Sequence, residues 1–253
     1  MSWRSKMQAL YLGGVLLFLA VVVGIPTFII LNEQPSCFDD IQNGDERGVD
    51  CGGMCEKVCT ADTEEPTLLW SRSFRVTDSV YNAVAYVENT NFEIGTEKIQ
   101  YRFTLFDDDN VLIAERRGET FLEPNKVVPI FEGGIRVGNR TPRRTFFEFS
   151  DANRVLWKRD ETSALRLSLS DERLVELNGG PRLQAKVRND STEDLRNVEV
   201  VAIIFNASGN AFAASKTVIE LLPKRSDEAV VFTWPEPFFE EVARIEITPR
   251  INK

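Results

Sequence analysis

Residues 9 to 31 form one apolar run in which Thr27 is the only clearly polar side chain. As a helix rising about 1.5 Å per residue, such a run reaches roughly 34 Å, which crosses a bilayer core with some tilt. A soluble core has no use for an uncharged helix of that length. The run therefore predicts a transmembrane helix over 9–31 that takes the lipid bilayer as its partner. Pro26 lies inside it and predicts a local kink, which membrane helices tolerate. The rest of the chain follows as what this helix holds at a membrane.

Charge sets the expected orientation. Residues 1–8 are a short leader with Arg4 and Lys6, whereas Glu33, Asp39 and Asp40 follow the run before the next basic residue, Arg47. The positive-inside rule puts the leader in the cytoplasm and the C-terminal domains on the extracytoplasmic side of a plasma membrane, crossed once. The run exceeds a signal-peptide core and no small-residue cleavage site follows it, so an uncleaved signal anchor is expected.

The formal net charge of −9 disfavours nucleic acid, which demands a basic face, so no nucleic-acid partner is expected. The chain has no histidine, which excludes Ser/His and Cys/His nucleophiles and imidazole zinc sites. No other catalytic motif stands out, so the chain is not expected to be an enzyme. No catalytic or cofactor-binding residue is assigned.

Residues 32–65 form a Gly-rich, acidic stalk that holds all four cysteines, Cys37, Cys51, Cys55 and Cys59. An even count clustered on the outer side of a membrane predicts two disulfides. The spacing leaves all three pairings open, and it lacks the CysXaaXaaCys knuckles of zinc ribbons. Asp39, Asp40, Asn43, Asp45 and Asp50 offer enough oxygens to make calcium the one cofactor worth weighing. Their spacing fits no EF-hand. The alternative is a polar loop whose side chains cap its own backbone.

Cys37, Asp39, Ile41GlnAsnGlyAspGlu46 and Gly48ValAspCysGlyGly53 followed by Cys55 resemble a short cysteine motif found in many secreted and surface proteins. Asp40 stands where that motif usually has glycine. The resemblance implies an extracellular setting and no activity.

From residue 66 the periodicity becomes that of strands. Ile99, Tyr101, Phe103 and Leu105 alternate with Lys98, Gln100, Arg102 and Thr104, the pattern of a strand with one buried face. Ala83, Ala85 and Val87 line a preceding strand, and AspAspAspAsn at 107–110 makes a turn. Gly133Gly134 and Gly179Gly180 also read as turns. Trp70, Trp157 and Trp234 could form a ligand-facing aromatic surface, but in a sandwich they are expected as core plugs, since aromatics bury the most apolar area. Turn signals about every ten residues predict an antiparallel sandwich.

The same order of features returns about 100 residues later. Leu183, Ala185, Val187 and Asn189 take the places of Ala83, Ala85, Val87 and Asn89; Val198, Val200, Ala202 and Ile204 take those of Ile99, Tyr101, Phe103 and Leu105. Pro124 and Pro223 lie equally far beyond. The prediction is an all-β chain of two tandem antiparallel sandwiches, 66–157 and 158–253, with a seam near 151–163. Each is expected to close its own core.

Phe103ThrLeuPheAsp107 resembles the signature strand of the FxLYD family, and Ala202IleIlePheAsn206 is a looser copy. That resemblance implies small immunoglobulin-like β-sandwich domains on envelope proteins, with no catalytic residue. The expected function is a membrane-anchored envelope protein that presents its sandwiches to a protein partner in the envelope or membrane. The rival expectation is a calcium-dependent accessory or sensing ectodomain of a membrane complex.

Overall fold

The computed structural model describes residues 3–31, 34–150, 155–159, 167–177 and 180–251. Most of the expected seam, 151–154 and 160–166, and Gly179 lie outside these residues. The chain divides into two units, Met1–Cys55 and Glu56–Lys253.

In the first unit, α1 (Trp3–Leu19) passes through a π-helical turn (Ala20–Gly24) into α2 (Ile25–Leu31). Pro26 causes the widening. It has no N–H, and its ring crowds the carbonyl four residues back, at Val22, inside the π turn. The Thr27 hydroxyl donates to the Val23 carbonyl at 2.6 Å. The described side chains from Leu10 to Phe28 are exposed all round, Leu17 at 69% and Phe28 at 69%. The helix is long and apolar enough, by length and composition, to cross a membrane.

All four cysteines are oxidised. Cys37 bonds Cys55 with Cα atoms 5.7 Å apart, which leaves Cys51 to Cys59. Gly53 adopts φ +58°, and a Cβ there would lie 1.9 Å from the Asp45 carbonyl oxygen, so this turn of the motif admits only glycine.

The second unit is two antiparallel sandwiches with one topology used twice. The first has β1 (Thr67–Thr77), β2 (Val80–Asn89), β3 (Ile94–Phe106), β4 (Leu112–Leu122), β5 (Lys126–Arg136) and β6 (Arg144–Ser150). Its sheets run β1-β2-β5 and β4-β3-β6, and the short β7 (Lys158–Arg159) pairs the start of β3. The second has β8 (Leu167–Leu177), β9 (Gly180–Asn189), β10 (Leu195–Phe205), β11 (Ala211–Leu222), β12 (Asp227–Thr233) and β13 (Arg244–Arg250). Its sheets run β8-β9-β12 and β11-β10-β13, the same orders shifted by seven strands.

Each sandwich closes over its own cluster. Ala83, Ala85, Ile99, Phe103, Leu105 and Trp157 belong to the first; Leu183, Ala185, Val198, Ala202, Ile204 and Trp234 belong to the second. The buried Asn89 and Asn189 do the same work in each. Asn89 Nδ2 donates to the carbonyls of Ile94 and Glu123, both at 2.9 Å. Asn189 Nδ2 donates to those of Glu193 and Leu222, at 2.8 and 3.2 Å. Each amide thus ties two turns together and satisfies carbonyls that burial would otherwise strand.

A third cluster, unforeseen from the sequence, joins the sandwiches. Phe74 and Val84 pack with Val201, Ile203, Phe205 and Ala214, with Trp70 and Tyr86 partly buried against them. The outer face of β1-β2-β5 therefore lies on the outer face of β11-β10-β13, and β2 and β10 are covered on both sides. Trp70 is a plug of this joint, stacked on Tyr86 with ring centroids 5.2 Å apart, and belongs to neither sandwich core. Arg72 donates across the joint to the Ala211 carbonyl at 3.2 Å, and Asn82 to that of Ala214 at 3.2 Å. Burial, then the neighbouring Glu246, pushes the Tyr86 phenol up to about 12.

Gly133Gly134 corrects an expectation. The pair lies inside β5, where the pairing with β2 shifts register between Tyr81 and Ala83. Gly134 has φ +66° and its N–H donates to Asn82 Oδ1 at 3.1 Å, so the glycines form a bulge within the strand, not a turn between strands.

Candidate functional site

Among the described residues two places invite a functional reading, the acidic loop between the cysteines and a cleft beside β1 and β6 of the first sandwich.

In the loop, the carboxylates act on the backbone. Asp50 accepts the N–H groups of Asp39 and Asp40, each at 3.0 Å. Asp39 accepts from the Ile41 N–H at 3.0 Å and from Asn43 Nδ2 at 2.8 Å, and the Asn43 bond is the main reason its pKa is lowered. Glu46, which is not one of the five candidates, accepts from Asn43 N and Asp50 N at 3.2 and 3.3 Å. Asp40 and Asp45 are exposed. The group drawn together tightly enough to hold an ion among the described residues is Cys37, Glu46 and Cys55. Two of its three ligand atoms are the sulfurs of a disulfide, which has no thiolate to offer.

The cleft measures about 370 Å³ and is lined by residues scattered over the first sandwich. Its floor is Ile99, Phe147 and Trp157, each at most 7% exposed and each part of the first core. One wall is β6, the other is the segment 63–66 with Leu68 of β1. Both β6 and β1 are edge strands of their sheets.

Each wall is held in place. The Asn91 carboxamide accepts from the Glu64 N–H at 2.8 Å and donates to the Glu64 carbonyl at 2.7 Å, so it does the work of a neighbouring strand. Thr90 adds a hydroxyl bond to the Glu64 carboxylate at 2.8 Å. The Trp157 carbonyl accepts from the Val58 N–H at 2.8 Å, and Arg159 N donates to the Glu56 carbonyl at 3.0 Å. The Ser71 hydroxyl donates to the Thr145 carbonyl at 2.7 Å and draws β1 against β6 beyond one end of the cleft.

Three glutamates reach the cleft, Glu64, Glu65 and Glu148, and no basic side chain does among the described residues. Glu148 also accepts from Arg102 Nε at 2.8 Å across the outer face of β3 and β6. The site is thus an apolar slot with an acidic rim and backbone on both sides. From the sequence Trp157 reads as a core plug in preference to a ligand-facing aromatic, and the other lining residues read as core or loop, because they lie far apart in the chain. No protein-family model matches the sequence, and no curated protein matches it either.

Proposed function

We propose that the chain is a single-pass membrane protein of the cell envelope, with its N-terminus in the cytoplasm. It presents two immunoglobulin-like sandwiches outside the membrane, where they bind another envelope or membrane protein without catalysis. The observation that carries this reading is an apolar helix exposed on every side, followed within a few residues by a fully oxidised cysteine segment. The helix needs an apolar solvent, and the disulfides need a non-reducing compartment. The likeness of the strands ending at Asp107 and Asn206 to FxLYD domains fits the same setting.

The test is protease added to intact cells, or to spheroplasts where an outer membrane shields the surface. Digestion is expected to remove nearly the whole mass of the chain, while a cytoplasmic marker stays intact. Full protection of residues 66–253 would overturn the orientation.

A further inference from the structure

The cleft is one whose walls are main chain. Phe147, Glu148 and Phe149 are consecutive, and all three line it. Side chains along a strand alternate between the two faces of a sheet, so no single face presents three in a row. A cleft that meets all three runs along the strand's edge. β6 pairs with β3 on one side; β1 comes against its other edge near Thr145 through a side chain, so among the described residues no strand is hydrogen-bonded to that edge. From these observations we propose that the cleft binds an extended peptide segment of a partner protein, which adds a strand to the edge of β6.

The chemistry of the lining narrows the segment. An inward side chain would meet Ile99, Phe147 and Trp157, which accept an aliphatic or aromatic group. Its neighbours point the other way, toward Glu65 and Glu148, and favour lysine or arginine. The preferred ligand is therefore an extended stretch in which apolar and basic residues alternate. Strand addition of this kind draws affinity from main-chain hydrogen bonds and selectivity from pockets for alternate side chains. The wall held by Asn91 is formed in advance, so little ordering opposes binding.

This inference rests on the reading of the chain as a binding module. The probe is a capped heptapeptide of alternating valine and lysine, added to the full chain in detergent micelles. It is expected to bind and to slow amide hydrogen exchange across residues 145–150. The same peptide N-methylated on alternate amides is expected not to bind, because it has lost the donors that pair with an edge. A valine–glutamate version, or the protein with Glu65→Lys and Glu148→Lys together, is expected to lose about tenfold or more in affinity.

Unchanged exchange at 145–150, or equal binding by the N-methylated or the glutamate peptide, would overturn the proposal. Site-specific photo-crosslinking in cells separates this failure from that of the wider reading. A partner captured from Phe149 supports the cleft. Capture from Lys186 on the second sandwich alone overturns the cleft and leaves the binding module standing, whereas capture from neither overturns both.

Discussion

Arg250 shows how much one side chain does at the joint between the sandwiches. It is 1% exposed at the end of β13, yet it donates into the first sandwich, to the Phe121 carbonyl at 2.7 Å, the Pro129 carbonyl at 3.0 Å and Thr120 Oγ1 at 3.2 Å. Its guanidinium also stacks over the Phe121 ring at 4.4 Å. The nearest carboxylate oxygen, on Glu199, stands 4.0 Å away. Backbone carbonyls thus carry most of the compensation for a buried charge. Burial pushes the Arg250 pKa down, but a guanidinium starts so high that it stays ionised. Removing it takes the guanidinium donors away from the Phe121 and Pro129 carbonyls at a buried place in the joint. Arg250→Ala is expected to cost about 3 to 5 kcal/mol, the usual loss when one side of a buried charged contact is deleted. Arg250→Lys should recover little of it, because a point charge cannot reproduce the planar fork. Urea unfolding followed by tryptophan emission measures both. A fully stable lysine variant would show that charge alone, and not the fork, holds the joint.

At the scale of the element, the strand that resembles the FxLYD signature ends in a side chain with a defined task. Asp107 Oδ1 accepts from the N–H groups of Asp109 and Val111 at 3.0 and 2.8 Å, which shapes the turn from β3 to β4. In the duplicate, Asn206 Oδ1 accepts from Ser208 and Asn210 at 3.0 and 2.8 Å. Only an acceptor oxygen at that place is common to both. Asp107→Asn is therefore expected to cost less than about 1 kcal/mol, since it keeps the acceptor oxygen and loses only an ion pair with Arg140, whose guanidinium is exposed although Asp107 is buried. Asp107→Ala leaves two N–H groups without an acceptor and should cost about 1 kcal/mol or more. Equal losses in thermal unfolding would mean that the ion pair, not the turn, is what matters. This turn was legible in the sequence because its cause is local, an Asp or Asn at the end of an alternating strand. The bulge at Gly133Gly134 was not, because a glycine pair looks the same in a bulge as in a turn until Asn82 is placed beside it. The two-sided burial of β10 was half legible. Val198, Val200, Ala202 and Ile204 announced one buried face, whereas Val201, Ile203 and Phe205 stand on the alternate positions that a lone sandwich leaves to solvent, and their burial came only with the joint.

For the molecule as a whole, the repeated topology shows how the outer faces of the two sandwiches divide between cover and solvent. Val84 and Tyr86, which face the joint, correspond to Gln184 and Lys186 on the outer face of β8-β9-β12. Val201 and Ile203 correspond to Arg102 and Thr104 on the outer face of β4-β3-β6. Each face is apolar where it is covered and polar where its duplicate is not. Alternation shows which residues point outward, but only a partner decides whether an outward residue is wet, and that partner lies about 100 residues away in the chain. The cleft was hidden for the same reason, since 63–66, Ile99, 147–149 and Trp157 meet only once the sandwich has closed. The joint carries a testable consequence for cooperativity. Leu105 and Ile204 are equivalent and wholly buried, one in each core. Either change to Ala should cost about 2 to 5 kcal/mol. Separate cores confine the direct loss to one sandwich, while the shared middle layer passes part of it to the other. In the native background, Leu105→Ala is expected to lower the unfolding midpoint of both halves, the first more. In a protein that also carries Val84→Gln and Tyr86→Lys, the residues its duplicate already bears in water, the first half alone should respond. Thermal unfolding of the full chain with proteolysis of each half reads this out. A second sandwich whose midpoint ignores Leu105→Ala in the native background would show that the middle layer holds the two together without coupling them.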